Sequence, residues 1–217
     1  MQSVLKISLK DIRKNWKILN KLSNNNASAV VKANAYGFGL TEVSEALHME
    51  GCNFFYVAQL EEGIKLRKKL NSKSVNIAVF EGIIHDLHYY QKYRLFPIVN
   101  DYSQIIKLNK FNSLNENNKL KCILNIDTGM NRLGFEKKEI EKLAVNLKNF
   151  KKIEFIFLMS HLSNASLTKN KKNRDQLQTL HAISKFNKNI KLSLSNTNGI
   201  LLGKEYILNQ TRPGIGI

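Results

Sequence analysis

Short and nearly uninterrupted runs of apolar residues recur along the 217-residue chain at intervals of about 20 to 40 residues. Continuous apolar runs, unlike alternating apolar and polar positions, are typical of strands buried on both faces of a parallel sheet. Val4–Ile7 has a similar character and is predicted to form a short leading strand. The main predicted strands are Ala29–Val31, Phe54–Ala58, Val75–Phe80, Phe96–Val99, Cys122–Ile126, Ile153–Met159, Leu192–Leu194 and the Thr211–Ile217 end.

Helical patterns fill the segments between these runs. Their apolar residues recur at spacings of three and four, which places them on one face of a helix. A first helix is predicted after Ser8, because Ser8 and Asp11 resemble a capping box and Ile12, Trp16 and Leu19 share a face. The later predicted helices are Glu42–Met49, Leu60–Leu70, Tyr102–Asn109, Lys137–Leu147 and Asp175–Phe186.

The alternation of strands and helices favours an α/β fold, namely a (β/α)8 TIM-type barrel in one domain that covers residues 1–217. A doubly wound open sheet is the alternative. That fold would carry a glycine-rich phosphate loop after the first strand, and the Gly37-Phe38-Gly39 turn does not extend to G-x-G-x-x-G. Because the sequence ends on the expected last strand, the barrel is predicted to be incomplete at its carboxyl end.

The composition indicates whether the protein binds nucleic acid. The formal charge is +17, but the chain has 28 Lys against 6 Arg together with 27 Asn, and the lysines are spread along its length. This distribution favours a solvated lysine surface over a specific nucleic-acid site; the alternative would require binding that survives physiological salt.

Cys52 and Cys122 lie far apart and are predicted to be reduced, buried thiols.

No feature of the sequence indicates a membrane or secreted protein. No apolar run exceeds five residues, and the amino terminus lacks the apolar stretch of a secretory signal. We therefore expect a cytoplasmic protein that does not insert into a membrane.

Polar and charged groups follow several predicted strands, where barrel enzymes carry their functional groups. They are Lys32, the segments 127–132, 160–161 and 195–199, and the segment 212–214. Each has an ordinary explanation alone, such as a lysine that reaches solvent or a histidine in a core. Together they indicate more, because a hydroxyl- and amide-rich turn late in a barrel binds phosphate and a desolvated lysine reacts with aldehydes. Phosphate and a reactive lysine point to pyridoxal phosphate (PLP).

Five segments, read in order, resemble the signature segments of the bacterial alanine racemase family. They are VVKANAYGFG, IDTGMNRLGF, MSHL, SNTNGI and TRPGIGI, and the resemblance covers essentially the whole chain. It implies a PLP-dependent barrel enzyme that interconverts L- and D-alanine for peptidoglycan precursors. Two alternatives remain open: a racemase for another small amino acid such as serine, and a PLP-binding barrel without catalysis.

The resemblance also assigns roles to catalytic and ring-binding residues. Lys32 matches the lysine that binds PLP covalently and then acts as one of two catalytic bases. Arg132 matches the arginine near the phenolic oxygen of PLP, which also helps to hold the substrate carboxylate. His161 matches the histidine that lies against the pyridine ring, and Arg212 the arginine that faces the ring nitrogen.

A second group of residues matches the phosphate site of the family. Tyr36 matches a tyrosine that hydrogen-bonds the phosphate, and Thr197 retains a hydroxyl beside Asn196. Gly214 and Ile215 are expected to donate their backbone N–H groups to the same phosphate.

The sequence also departs from the family pattern. The family's second base is a tyrosine from a carboxyl-terminal β domain of the partner subunit in a homodimer, and this sequence stops before such a domain would begin. Three explanations remain open: a fragment of a longer gene product, a natural truncation, or a chain whose activity is impaired. Asn125 stands where some members have a carbamate-bearing lysine, and it is expected to position Arg132. His85 and His88 could share a helical face, but no third ligand is evident and no metal site is predicted.

Overall fold

A parallel sheet of seven strands in chain order forms the centre of the computed structural model, which describes residues 3–146, 150–185 and 189–217. Each strand pairs in parallel with the next one along the chain. The strands are β1 Ala29–Val30, β2 Phe54–Val57, β3 Asn76–Val79, β4 Phe96–Val99, β5 Lys121–Asn125, β6 Glu154–Met159 and β7 Lys191–Ser193. All seven coincide with predicted apolar runs.

Helices lie between the strands and largely follow the predicted pattern. The first begins after Ser8, whose hydroxyl accepts the Asp11 N–H at 3.3 Å. The predicted ends at Leu147 and Phe186 lie outside the described residues. The helices are α1 Leu9–Leu22, α2 Lys32–Tyr36, α3 Leu40–Met49, α4 Leu60–Lys69, α5 Leu87–Lys92, α6 Tyr102–Leu114, α7 Lys137–Asn146, α8 Lys171–Ser184 and α9 Thr197–Ile200, with a 3-10 turn at Lys204–Tyr206.

The segment 210–213 closes the sheet into a barrel, because it bonds to both of its edges. The Val30 N–H of β1 donates to the Pro213 carbonyl at 2.8 Å, and the Arg212 N–H donates to the Ser195 carbonyl just after β7, also at 2.8 Å. An open sheet would leave these two edges apart. The predicted barrel is therefore confirmed and the doubly wound alternative is wrong.

Two predicted strands are not formed as expected. Residues 211–217 make an isolated bridge at Thr211 and then a turn, since Pro213 has no N–H to continue a ladder. Val4–Ile7 is not a strand, and Val4 is 87% exposed. The edge of β1 that such a strand would need is occupied by the segment 210–213.

The barrel has two apolar layers, which explains the uninterrupted runs. In β2, Phe54 and Tyr56 point into the barrel, whereas Phe55 and Val57 pack outward against the helices. Both faces of each strand are thus buried, as in other α/β barrels. The interior cluster comprises Val30, Phe54, Tyr56, Ala78, Ile98, Ile123, Phe157 and Met159. Cys52 and Cys122 are free and buried in the outer layer, as predicted.

The short segment α2, directly after β1, has a left-handed backbone. Ala33, Asn34, Ala35 and Tyr36 have φ between 51° and 55°. This conformation costs roughly 1–2 kcal/mol for each residue with a side chain. Hydrogen bonds hold the segment: the Asn34 side chain accepts the Leu40 N–H at 2.9 Å. The left-handed turn carries the chain from the barrel wall into the following helix.

Ala33→Gly is expected to raise the free energy of unfolding by about 0.5–1 kcal/mol, because glycine tolerates positive φ and the exposed Ala33 methyl packs against little. The matched control is Ala182→Gly on the exposed face of the right-handed helix α8. This change should lower the free energy of unfolding by about 1 kcal/mol. Urea unfolding of both variants measures the difference. Equal destabilisation by the two changes would contradict the strain argument.

Candidate active site

A cavity of about 530 Å³ opens at the carboxyl ends of the strands. Its size suits a small ligand or cofactor. All nine site residues predicted from the sequence line it, although they come from widely separated parts of the chain. They are Lys32, Tyr36, Arg132, His161, Asn196, Thr197, Arg212, Gly214 and Ile215.

Lys32 is the first residue of α2, just beyond β1, and its half-buried side chain lines the cavity. The Nζ atom lies 5.9 Å from the centre of the Phe80 ring, and within the described ranges no carboxylate forms an ion pair with it. A cation over an aromatic face is a favourable but weak contact. The amine at the end of this buried strand therefore remains available to a ligand.

Arg212 is a cation inside the barrel wall and is only 3% exposed. Its Nη1 donates to the Ser193 hydroxyl, and its Nη2 donates to the carbonyls of Ser160 and Leu194. Burial lowers the pKa of Arg212 to about 10, so the guanidinium is still charged at neutral pH. Three separate acceptors on the β6 and β7 ends thus fix a positive charge at the cavity wall.

His161 is held as a neutral ring. Burial is the largest cause that lowers its pKa, to about 3, and the positive charges of Arg212, Arg132 and Lys32 act in the same direction. The Nε2 atom lies 3.4 Å from the Asn196 side-chain nitrogen. A flat, uncharged imidazole at this position is suited to lie against another ring.

Donor groups converge on one side of the cavity. The N–H groups of Gly214 and Gly216 both donate to the Thr197 hydroxyl at 3.2 Å. A Cβ atom on Gly214 would lie 2.5 Å from the Tyr36 hydroxyl. Burial raises the pKa of Tyr36, which keeps this hydroxyl protonated and able to donate. Backbone N–H groups and hydroxyls in such a concave turn are the donors that bind phosphate.

The loop that carries Arg132 is organised by Asp127. One carboxylate oxygen accepts the N–H groups of Gly129, Met130 and Asn131 at 2.8 to 3.1 Å. This turn brings the exposed Arg132 back to the rim of the cavity.

Asn125 contacts the loop that carries Arg132. Its amide nitrogen donates to the Asn100 side chain at 2.8 Å and to the Leu133 carbonyl at 3.3 Å. It therefore supports the backbone next to Arg132.

Some residues of the cavity carried no recognisable sequence signal. Phe80 follows β3 and lies beneath Lys32, while Met159 ends β6 inside the barrel. A large apolar residue at the end of a strand looks like any other core residue. Only the closure of the barrel brings them to the site.

His85 and His88 do not share a ligand face. His85 Nε2 lies 3.4 Å from Glu81, and His88 Nδ1 lies 2.8 Å from Asp86. Possible ligand atoms of Glu61, Glu81 and His85 lie within 4.8 Å of one another, but Glu81 also accepts the Leu60 N–H at 2.7 Å. Contacts within the chain therefore account for this surface cluster.

Helix lengths and hydropathy bear on membrane insertion. Over the described ranges, none of the helices is both long enough and apolar enough to cross a bilayer.

The fold and the cavity together define a parallel α/β barrel with a lysine amine and a phosphate-type cradle at its mouth. The family model for the amino-terminal domain of alanine racemase matches residues 7–217. The chain belongs to this family, as the resemblance of its five segments indicated.

Individual relatives agree with this assignment. The alanine racemase of Rickettsia bellii is 40% identical over 190 residues, which are 87% of this chain and 46% of that protein. That of Rickettsia africae is 37% identical over 215 residues, or 98% of this chain and 60% of the relative. The crystal structure of alanine racemase from Bartonella henselae with covalently bound pyridoxal phosphate has a TM-score of 0.91 and 34% identity, with 96% of this chain and 58% of that one covered. The chain thus spans about half to three fifths of the length of these relatives.

Proposed function

We propose that this chain supplies the cofactor-binding barrel of a PLP-dependent alanine racemase, which interconverts L- and D-alanine. The observation that carries the proposal is the Lys32 amine, which lines a cavity of about 530 Å³ together with Tyr36, Thr197 and Gly214. The 34% identical alanine racemase from Bartonella henselae has pyridoxal phosphate covalently bound in its crystal structure. When bound, PLP supplies the electron sink that makes the α-proton of an amino acid acidic.

The residues present fit this cofactor. Lys32 provides the amine for covalent attachment, and the cradle of Tyr36, Thr197 and Gly214 provides hydroxyl and N–H donors for its phosphate, with Asn196 and Ile215 beside them. A Cβ atom would fill the cradle at Gly214. The neutral His161 ring, which lines the same cavity, would lie against the pyridine.

The two arginines would control the charge around bound PLP. Arg212, which is cationic at neutral pH, would oppose a proton on the ring nitrogen by like-charge repulsion. Arg132, at the exposed rim, is free to bind the phenolic oxygen of PLP and the carboxylate of alanine. Bidentate binding of a carboxylate suits its planar guanidinium.

Racemisation requires a proton donor or acceptor on each face of the reacting carbon, and Lys32 can serve only one. Among the described residues that line the cavity, Tyr36 is the one tyrosine, and we place it at the phosphate. We propose that the partner subunit of a homodimer supplies the second group. The loops around the mouth of the cavity carry exposed apolar side chains, such as Phe38, Ile84 and Leu167. This exposure supports the proposal that a partner subunit covers the rim of the cavity.

We propose a cytoplasmic location and no specific binding to nucleic acid. The high positive charge comes mainly from lysine, which gives salt-sensitive attraction to polyanions without sequence recognition.

The test is to incubate the chain with PLP and each enantiomer of alanine in D2O. Borohydride reduction and peptide mapping should find PLP on Lys32, and mass spectrometry should find deuterium at the α-carbon of one enantiomer first. Chiral chromatography then measures interconversion, with L-serine as a competing substrate. Absence of covalent PLP at saturating concentration would refute the proposal.

Gly214→Ala is expected to weaken PLP binding at least about tenfold, because the new methyl group would occupy the cradle against Tyr36. The matched control, Gly63→Ala, adds a methyl group between α4 and the side chains of Val79 and Leu95, away from the cavity. Titration of the PLP absorbance compares the affinities. Unchanged affinity in Gly214→Ala would place the phosphate elsewhere.

A further inference from the structure

Gln176 on α8 is 1% exposed and does not line the cavity, yet its side chain holds the loop that presents His161. Its Nε2 donates to the His161 carbonyl at 2.8 Å, and its Oε1 accepts the Ser163 N–H at 2.9 Å. The backbone is therefore clamped immediately on both sides of Leu162.

The same amide reaches the neighbouring loop. Gln176 Nε2 also donates to the Thr128 hydroxyl at 3.3 Å, and that hydroxyl lies 2.7 Å from the hydroxyl of Ser160. Thr128 follows Asp127, whose carboxylate organises the turn before Arg132. One buried side chain thus joins the β6 loop that carries His161 to the β5 loop that carries Arg132.

Both donors of this amide are used. Its two N–H groups have two acceptors, and its carbonyl oxygen accepts the Ser163 N–H. The Ser163 hydroxyl has one proton and lies closer to Asn164 Oδ1, at 2.6 Å, than to Gln176 Oε1, at 3.2 Å. A buried amide with these contacts fixes its partners in one arrangement, because breaking any contact leaves an unpaired polar group.

We propose that Gln176 is a positioning residue for PLP binding. It fixes the position of the His161 ring relative to the loop that carries Arg132. This inference rests on the proposed function, since PLP is the ligand that the two loops would hold. Gln176 acts through the backbone of His161 and the Thr128 hydroxyl and touches no reacting atom.

Asn173 provides a matched control within the same helix. It lies three residues before Gln176, is equally buried, and also binds the β6 loop. Its Nδ2 donates to the carbonyls of Asn164 at 3.2 Å and Leu167 at 3.1 Å. These contacts hold the distal part of the loop, so that loss of Asn173 weakens the fold without releasing His161.

The experiment compares Gln176→Met with Asn173→Leu, both of which replace a buried amide by an apolar side chain and remove its hydrogen bonds. Both should lower the thermal midpoint. Only Gln176→Met should weaken PLP affinity, by about tenfold, and reduce the visible circular dichroism of bound PLP, which reports how the cofactor is oriented. Equal PLP affinity and dichroism in Gln176→Met and the unaltered chain would overturn the proposal, as would an equal loss in Asn173→Leu.

A second readout needs no cofactor. The groups facing His161 are Arg212, Arg132 and Lys32, all cationic, and in the unaltered chain the imidazole should not titrate by NMR between pH 5 and 7. Gln176→Met should release the ring toward solvent and move its titration into this range, while Asn173→Leu should not. An unmoved titration in Gln176→Met would overturn the positioning role.

The two readouts separate failure of this inference from failure of the proposed function. If the unaltered chain forms no covalent PLP, the proposed function fails, and the His161 titration still decides whether Gln176 positions the loop. If Gln176→Met does not fold, Thr128→Val removes the hydroxyl that joins the β5 loop to Gln176 and to Ser160, and leaves Gln176 in place. It should reduce PLP affinity about threefold, and an unchanged affinity would contradict the coupling of the two loops.

Discussion

Lys32→Ala is expected to abolish covalent PLP binding and to reduce α-deuterium exchange of alanine by at least about 10²-fold. Lys32 is the amine in the cavity without an ion-pair partner among the described residues, so that its loss removes both the attachment point and the base on one face. The absorbance of the lysine-bound cofactor and peptide mapping after borohydride reduction measure the first effect. Mass spectrometry of alanine measures the second.

The matched control for this experiment is Lys191→Ala. Lys191 is exposed and begins β7, which places it at the opposite end of the barrel. This variant should retain full labelling and exchange. Labelling that persists in Lys32→Ala would assign the attachment to another lysine and remove Lys32 from its proposed role.

The second large effect concerns pH. In the cofactor-free chain, His161 alone should reduce the free energy of unfolding by up to about 3 kcal/mol as the pH falls from 6.5 to 4. Burial and neighbouring cations lower the pKa of His161 from 6.5 to about 3, so the unfolded chain gains a proton over this range while the folded chain does not. One such group changes stability by about 1.4 kcal/mol per pH unit. The stability is complete above pH 6.5 and is lost as the pH falls toward 3.

His161→Gln should remove this part of the acid sensitivity, because glutamine does not titrate. His181→Gln on the exposed face of α8 is the control and should leave the pH profile as it is. Urea unfolding at several pH values measures the slopes. Parallel profiles for the unaltered chain and His161→Gln would show that the imidazole is not held neutral.

These two expectations depend differently on sequence and structure. The sequence shows that Lys32 follows a buried strand and lies in the segment VVKANAYGFG, since both are local features. The neutral state of His161 is not visible in the sequence, because it depends first on burial and then on Arg212 and Arg132, which lie 51 and 29 residues away along the chain and approach it only in the closed barrel.

Local sequence patterns were sufficient to predict the seven strands and the cap of α1, and the five family-like segments contain the nine proposed site residues that line the cavity. Strands buried on both faces must be apolar throughout, and a helix start needs a side chain such as Ser8 to accept its free N–H groups. Those requirements are met by neighbouring residues, so they leave a pattern that can be read directly.

The closure of the barrel, the turn of α2 and the connection between the two site loops became visible only in the folded chain. Val4–Ile7 has the composition of a strand, but the edge it would need is taken by the segment 210–213. The left-handed backbone of α2 is held by the local hydrogen bond from the Leu40 N–H to the Asn34 side chain and by one from the Asn34 N–H to Glu62 on α4. Gln176 is one polar position in a helix until packing brings it to His161 and Thr128. All three depend at least in part on hydrogen bonds between segments that are distant in the chain, and local patterns of polarity carry no record of those partners.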